Sequence, residues 1–102
     1  MLVTLDQIIG MAEEKNYCIP AFNVYNMETV MGVIAAAEEA HAPIIMQIYP
    51  RLFVEGSGYY LAPVVRAAAE KASVPVCVHL DHGTDIDYVK RGIDLGFTSV
   101  MY

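Results

Sequence analysis

Basic side chains are scarce in this sequence. Six Lys and Arg stand against twelve Asp and Glu, a formal net charge of -6. A protein that tracks nucleic acid needs a basic stripe, so nucleic acid is not an expected partner. Cysteine is scarcer still: Cys18 and Cys77 both lie in apolar, strand-like runs without metal-type spacing. They are expected to be reduced and buried, as in a cytosolic protein. Long apolar runs are missing too, since no stretch approaches the ~20 residues of a membrane span. Nor does a basic segment followed by an apolar core open the chain. The sequence therefore reads as a cytoplasmic protein with no membrane partner. Its acidity leaves room for a phosphorylated substrate, because a few backbone N–H groups or one Arg bind phosphate locally.

What the chain has in quantity is apolar residues, 56% of 102. That is enough for a buried core and fits one domain, residues 1–102, with no room for a second. The pattern alternates between two periods. Thr4 to Asn16 reads as a helix, with Thr4 and Gln7 as a capping box and Leu5, Ile8, Ile9 and Ala12 on one face. CIPAFNVY (18–25) reads as a strand. Asn26 caps a second helix through His41, with Val30, Ile34 and Ala37 at helical spacing. APIIMQIY (42–49) is a second strand, followed by a loop holding Gly56 and Gly58 and a helix from Leu61 to Ala72. VPVCVHLD (74–81) is a third strand. Thr84 with Asp87 forms another capping box, Ile86, Val89 and Ile93 line a face, and Gly96 ends that helix. FTSVMY (97–102) is the fourth strand.

Near-continuous apolar strands alternating with helices indicate a parallel sheet covered by helices, an α/β fold. Pro20, Pro43 and Pro75 stand at strand starts, where a missing N–H is tolerated. Asn23, Gln47 and His79 follow, towards the strand ends where α/β folds place their ligands. A small open sheet and the first half of a (β/α)8 TIM barrel both fit. The chain stops on a strand, before the helix that should follow it, which favours the half barrel: a single partial domain of about four parallel strands with intervening helices.

The chemistry concentrates in VCVHLDHG, residues 76–83. His79 and Asp81 alternate onto the same side of the strand, and His82 falls at its exit, where Gly83 is expected to free the backbone. An Asp at a barrel mouth can serve as general acid or base for a hydroxyl. A neighbouring imidazole can hold a divalent metal, though one histidine cannot hold Zn²⁺ alone. Each residue singly also fits a structural role: a hydrogen-bonded histidine, or a carboxylate capping the next helix. Burying all three carries a desolvation cost of about a few kcal/mol, and the residues alone leave both readings open.

VPVCVHLDHG, with PAFNVYNMETVMGVIAAAEEAHAPIIMQ before it and GFTSVMY after it, resembles the class II, metal-dependent fructose-bisphosphate aldolases and their tagatose-bisphosphate relatives. The likeness runs in order along nearly the whole chain. It implies a (β/α)8 barrel, a homo-oligomer, Zn²⁺ at the C-terminal mouth, and cleavage of a phosphorylated ketose to dihydroxyacetone phosphate and an aldehyde. By the same resemblance Asp81 is the catalytic acid/base, His82 a zinc ligand and Asn23 a residue near substrate, with His79 in support. Two further zinc histidines, a glycine-rich phosphate loop and a second proton-transfer carboxylate are implied beyond residue 102. The chain alone is then expected to be inactive. One departure stands out: two residues after Gln47 the family commonly carries serine, and here there is Tyr49.

Other features invite plainer readings. Arg51 reads as a solvated cation and Gly56-Ser57-Gly58 as a flexible loop. His41 closes a helix, where a cation complements the dipole. Met27, Met31 and Met46 read as core filling, and Tyr59 and Tyr60 as packing at a helix start or an oligomer contact. Two functions compete with the aldolase. One is a non-catalytic half barrel that pairs through its open sheet edges; the other is a different metal-dependent barrel enzyme, such as a hydrolase.

Overall fold

The computed structural model describes all residues 1–102. In chain order the elements are β1 (Leu2–Val3), α1 (Leu5–Lys15), β2 (Ala21–Asn23), α2 (Met27–Glu39), β3 (Ile44–Ile48), α3 (Arg51–Glu55), α4 (Ser57–Lys71), β4 (Val76–Leu80), α5 (Ile86–Asp94) and β5 (Ser99–Val100). Every strand pair is parallel, and β2, β3, β4 and β5 lie side by side in the order of the chain. That is the α/β architecture expected, with one strand more. The added strand, β1, pairs with Val76 and Cys77 at the start of β4, while β5 pairs with His79 and Leu80 at its end. With β3 on the other side of β4, β1 and β5 share one edge. Two residues are too short a run for periodicity to reveal, so β1 was not legible in the sequence.

Alternation along the strands builds two layers. Ile44, Met46 and Ile48 of β3 and Val76, Val78 and Leu80 of β4 pack with Val30 and Ala37 of α2 and Leu61, Ala62, Val65 and Ala69 of α4. Ile45 and Cys77 point the other way, against Ile8 of α1. Thus α2 and α4 cover one face of the sheet, and α1 seals the N-terminal end of the other. The C-terminal half of that second face carries the polar residues. The prolines act as expected at the strand starts: they lack an N–H, yet the carbonyls of Pro20 and Pro75 accept ladder bonds from Ile45 and Ile44.

Several local expectations hold. Thr4 and Gln7 form the reciprocal capping box of α1, and Asn26 forms a second one with Thr29. Gly96, at φ 80, follows the last residues of α5 in the left-handed conformation that favours glycine.

Others are corrected. The segment after β3 is not a flexible loop. Residues 51–55 form α3, and Gly56, at φ 91, joins it to α4, which starts at Ser57 rather than Leu61. Gly58 lies so close beneath Phe53 that a Cβ there would sit 2.9 Å from its ring. Cys18 is exposed, because strand pairing begins only at Ala21, on the outer strand of the sheet. Met46 is fully buried, but Met27 and Met31 are exposed. Met27 opens the first turn of α2, and Met31 lies about 100° around the helix from buried Val30. In α5 it is Asp85, not Thr84, that caps, and Ile86 and Ile93 face outward while Gly92 packs inward.

Candidate active site

In-register pairing sets Asn23 beside Gln47, Gln47 beside His79, and His79 beside Ser99. One polar residue from each of four adjacent strands therefore forms a single row across the sheet, near the C-terminal strand ends. Asp81 stands one step above the row on the same side as His79. Its backbone N–H still donates to Ile48 O at 3.1 Å, so the carboxylate is anchored by the sheet rather than carried on a mobile loop.

The row is knitted by side chains. Gln47 Nε2 donates to Asn23 Oδ1 at 2.9 Å and to Asp81 Oδ2 at 3.0 Å. His79 Nδ1 lies 2.7 Å from Ser99 Oγ. Asp81 and His79 are both buried, at 9% and 8% exposure, and no buried polar side-chain atom lacks a partner. The desolvation that made the cluster costly on paper is thus met by hydrogen bonds.

His82 sits differently. The chain turns sharply as β4 ends, and His82 itself takes the left-handed conformation, at φ 50. Histidine adopts that region more readily than most side chains, but it is still uncommon and clusters at functional sites. The role expected of Gly83 is corrected here: it supplies space rather than backbone freedom. A Cβ at Gly83 would lie 2.4 Å from Met101 O, the carbonyl that accepts the Gly83 N–H at 3.1 Å. With Gly83 pinned against β5, the His82 side chain projects outward, 67% exposed, with Nε2 3.7 Å from Asp81 Oδ1. The Tyr49 ring meets the imidazole edge-on at 6.4 Å.

Asn23, Tyr25, Tyr49, Asp81 and His82 line a cavity of about 320 Å³ at the strand tips. A second cavity, about 310 Å³, shares Tyr49 and His82 and reaches Arg51 and Tyr88. Arg51 pairs with Glu55 at 2.8 Å and is largely solvated, as expected. The largest cavity, about 340 Å³, lies away from this chemistry between α2 and the β2 edge. Pro20, Phe22, Val33 and a run of alanines line it, and none of its side chains is polar.

Burial pushes the His79 imidazole below the ordinary histidine value of 6.5; Asp81 opposes that shift and His82 adds to it. The folded protein therefore binds this proton less readily than the unfolded chain. Stability from this group is fully present above about pH 6.5, and it is lost as pH falls from there through the folded value. Denaturant midpoints measured between about pH 7.5 and pH 5 should fall, and His79→Asn should flatten that fall. An unchanged slope in the variant would remove His79 as its source.

Of the four site residues named from the sequence, Asn23, Asp81 and His82 line one cavity, with Asn23 and Asp81 joined through Gln47, while His79 lies buried in the row and bonded to Ser99. Reading the sequence placed Gln47 at a strand end without giving it a role. Ser99 carries no signal of its own in the sequence, because only the β4–β5 register brings it to His79. Such an array is of the β/α-barrel kind: parallel strands whose C-terminal tips gather a buried carboxylate, an exposed imidazole and an amide around a cavity.

Comparison with known proteins narrows the class. The family model of class-II fructose-bisphosphate aldolase matches residues 3–102, and the chain belongs to that family. The fructose-bisphosphate aldolase of Giardia intestinalis is 42% identical over 101 residues, covering 98% of this chain and 31% of that protein. The enzyme of the same name from Thermus caldophilus is also 42% identical, over 99% of this chain and 33% of its own length. The crystal structure of the YdjI aldolase from Escherichia coli K12 superposes with a TM-score of 0.93 at 35% identity, over 100% of this chain and 40% of that one. The chain spans about a third of the length of the curated relatives it matches.

Proposed function

We propose that residues 1–102 form the first part of a (β/α)8 barrel and supply half of the active site of a zinc-dependent ketose-bisphosphate aldolase. The observation that carries this reading is the pairing at the tip of β4. A buried carboxylate held on one oxygen by Gln47 stands beside an exposed imidazole, and both line one cavity.

The donors fit zinc in part. His82 Nε2 is an accessible nitrogen, but no three His, Cys, Asp or Glu side chains of this chain are placed to hold a metal together. A catalytic zinc takes three protein ligands, so the remaining two come from outside these residues. When bound, zinc supplies Lewis-acid stabilisation of charge developing at the ketose carbonyl oxygen. Asp81 Oδ1 accepts the proton of the hydroxyl beyond the scissile carbon–carbon bond. As that bond breaks, its electron pair stays with the ketone fragment and the aldehyde departs; the ketone fragment then takes a proton on carbon from a second acid outside these residues. Desolvation of Asp81 keeps water from competing for the proton. Asn23, on β2 along the same face of the sheet, offers its side chain to a substrate oxygen.

The substrate is a ketose bisphosphate, giving dihydroxyacetone phosphate and an aldehyde phosphate. Both named curated relatives are fructose-bisphosphate aldolases, which supports this class. On this reading the protein works in the cytoplasm; no helix is long and apolar enough to cross a membrane. It works as a homo-oligomer, for which exposed Tyr60 and Met27 offer apolar contact surface. The test is metal removal from the intact polypeptide that carries this chain. A strong chelator should abolish cleavage of fructose 1,6-bisphosphate and zinc should restore it; full activity under chelation would defeat the proposal.

A further inference from the structure

We propose that Gln47 is a positioning residue that selects which oxygen of Asp81 moves the proton and which atom of Asn23 faces substrate. The inference rests on reading Asp81 as the proton carrier. It starts from the chemistry of three side chains. A carboxylate only accepts hydrogen bonds, so the Gln47 atom 3.0 Å from Asp81 Oδ2 is its amide nitrogen. That nitrogen carries two hydrogens. The second points to Asn23, 2.9 Å away, so the Asn23 atom there is its carbonyl oxygen.

Both amide orientations follow from the one carboxylate at the end of the chain of bonds. Oδ2 of Asp81 already takes the Gln47 bond, while Oδ1, the oxygen on the His82 side, takes no hydrogen bond within the chain and is the freer of the two for a hydroxyl. Asn23 Nδ2 is left as a donor, and Asn23 and Asp81 both line the cavity while Gln47 does not. The cavity wall therefore presents a donor on β2 and a proton acceptor at the tip of β4, with Gln47 on β3 fixing both from below. This polarity suits a substrate offering a bare oxygen to Asn23 and a hydroxyl to Asp81. It disfavours the reverse.

In the intact polypeptide, Gln47→Met keeps the length of the side chain and removes its donor. It should lower kcat roughly 10–100-fold, the usual loss when a supporting hydrogen bond to a working group is removed, with a smaller change in KM. In the Asp81→Ala background the same substitution should cause no further fall, because its effect runs through the carboxylate. A wild-type kcat for Gln47→Met, or an equal fall in both backgrounds, overturns this role and leaves the aldolase reading standing. Wild-type cleavage by Asp81→Ala overturns both. Side-chain amide NMR of glutamine-labelled protein decides the matter if Gln47→Met does not fold. One Gln47 Nε2 proton resonance should move in Asp81→Ala and the other in Asn23→Ala; two unmoved resonances would overturn the proposal.

Discussion

Asp81→Ala in the intact polypeptide should lower the rate of ketose-bisphosphate cleavage by roughly 10²–10⁴-fold, the span of a positioned general acid or base. Three features set that size. The carboxylate is 9% exposed, so little water can stand in for it. Its backbone is tied to Ile48 O at 3.1 Å, and Gln47 holds Oδ2 at 3.0 Å, so the group is oriented before substrate arrives. The sheet does not need the side chain, because the ladder bond is made by the main chain. Circular dichroism and the thermal midpoint should stay close to wild type while cleavage falls. Loss of activity accompanied by unfolding would mean instead that the carboxylate is structural, pinning β3 to β4.

His82→Ala should act on the metal. The side chain is 67% exposed, so its removal loses little packing, and the remaining cost is that Ala takes the left-handed backbone at φ 50 less readily than His. Deleting an outer partner of a metal ligand costs roughly 10–100-fold in affinity; deleting the ligand itself should cost more than about 100-fold. Equilibrium titration with zinc measures this directly. An affinity within a few-fold of wild type would place His82 outside the metal shell.

How much of this was legible in the sequence depends on the kind of information each residue carries. The two-residue period of a strand put His79 and Asp81 of VCVHLD on one side, as the structure has them. The period of two is a property of one strand, and one strand is enough to read it. Gln47 as a bridge and Ser99 as the partner of His79 needed the pairing register between strands, which no single strand encodes. The left-handed turn at His82 was hidden for another reason: a glycine suggests backbone freedom, whereas Gly83 is required because a Cβ there would collide with Met101 O.

Burial was the least reliable reading. Cys18, Met27, Met31, Ile86 and Ile93 are apolar by type, yet all five are exposed at the sheet edge, at helix starts or on outer helix faces. Apolar type says that a residue can be buried; it does not say which face finds a partner. The helix caps fared better, since Thr4 with Gln7 is a local signal and closes a local hydrogen-bond pair.

The central claim is a division of labour at the tip of β4, with proton transfer at Asp81 and metal at His82. It is tested most directly by measuring zinc content and cleavage rate side by side in intact Asp81→Ala and His82→Ala proteins. The expected result is near-wild-type zinc with lost cleavage for Asp81→Ala, and lost zinc with lost cleavage for His82→Ala. Full zinc occupancy in His82→Ala, or wild-type cleavage in Asp81→Ala, would contradict it.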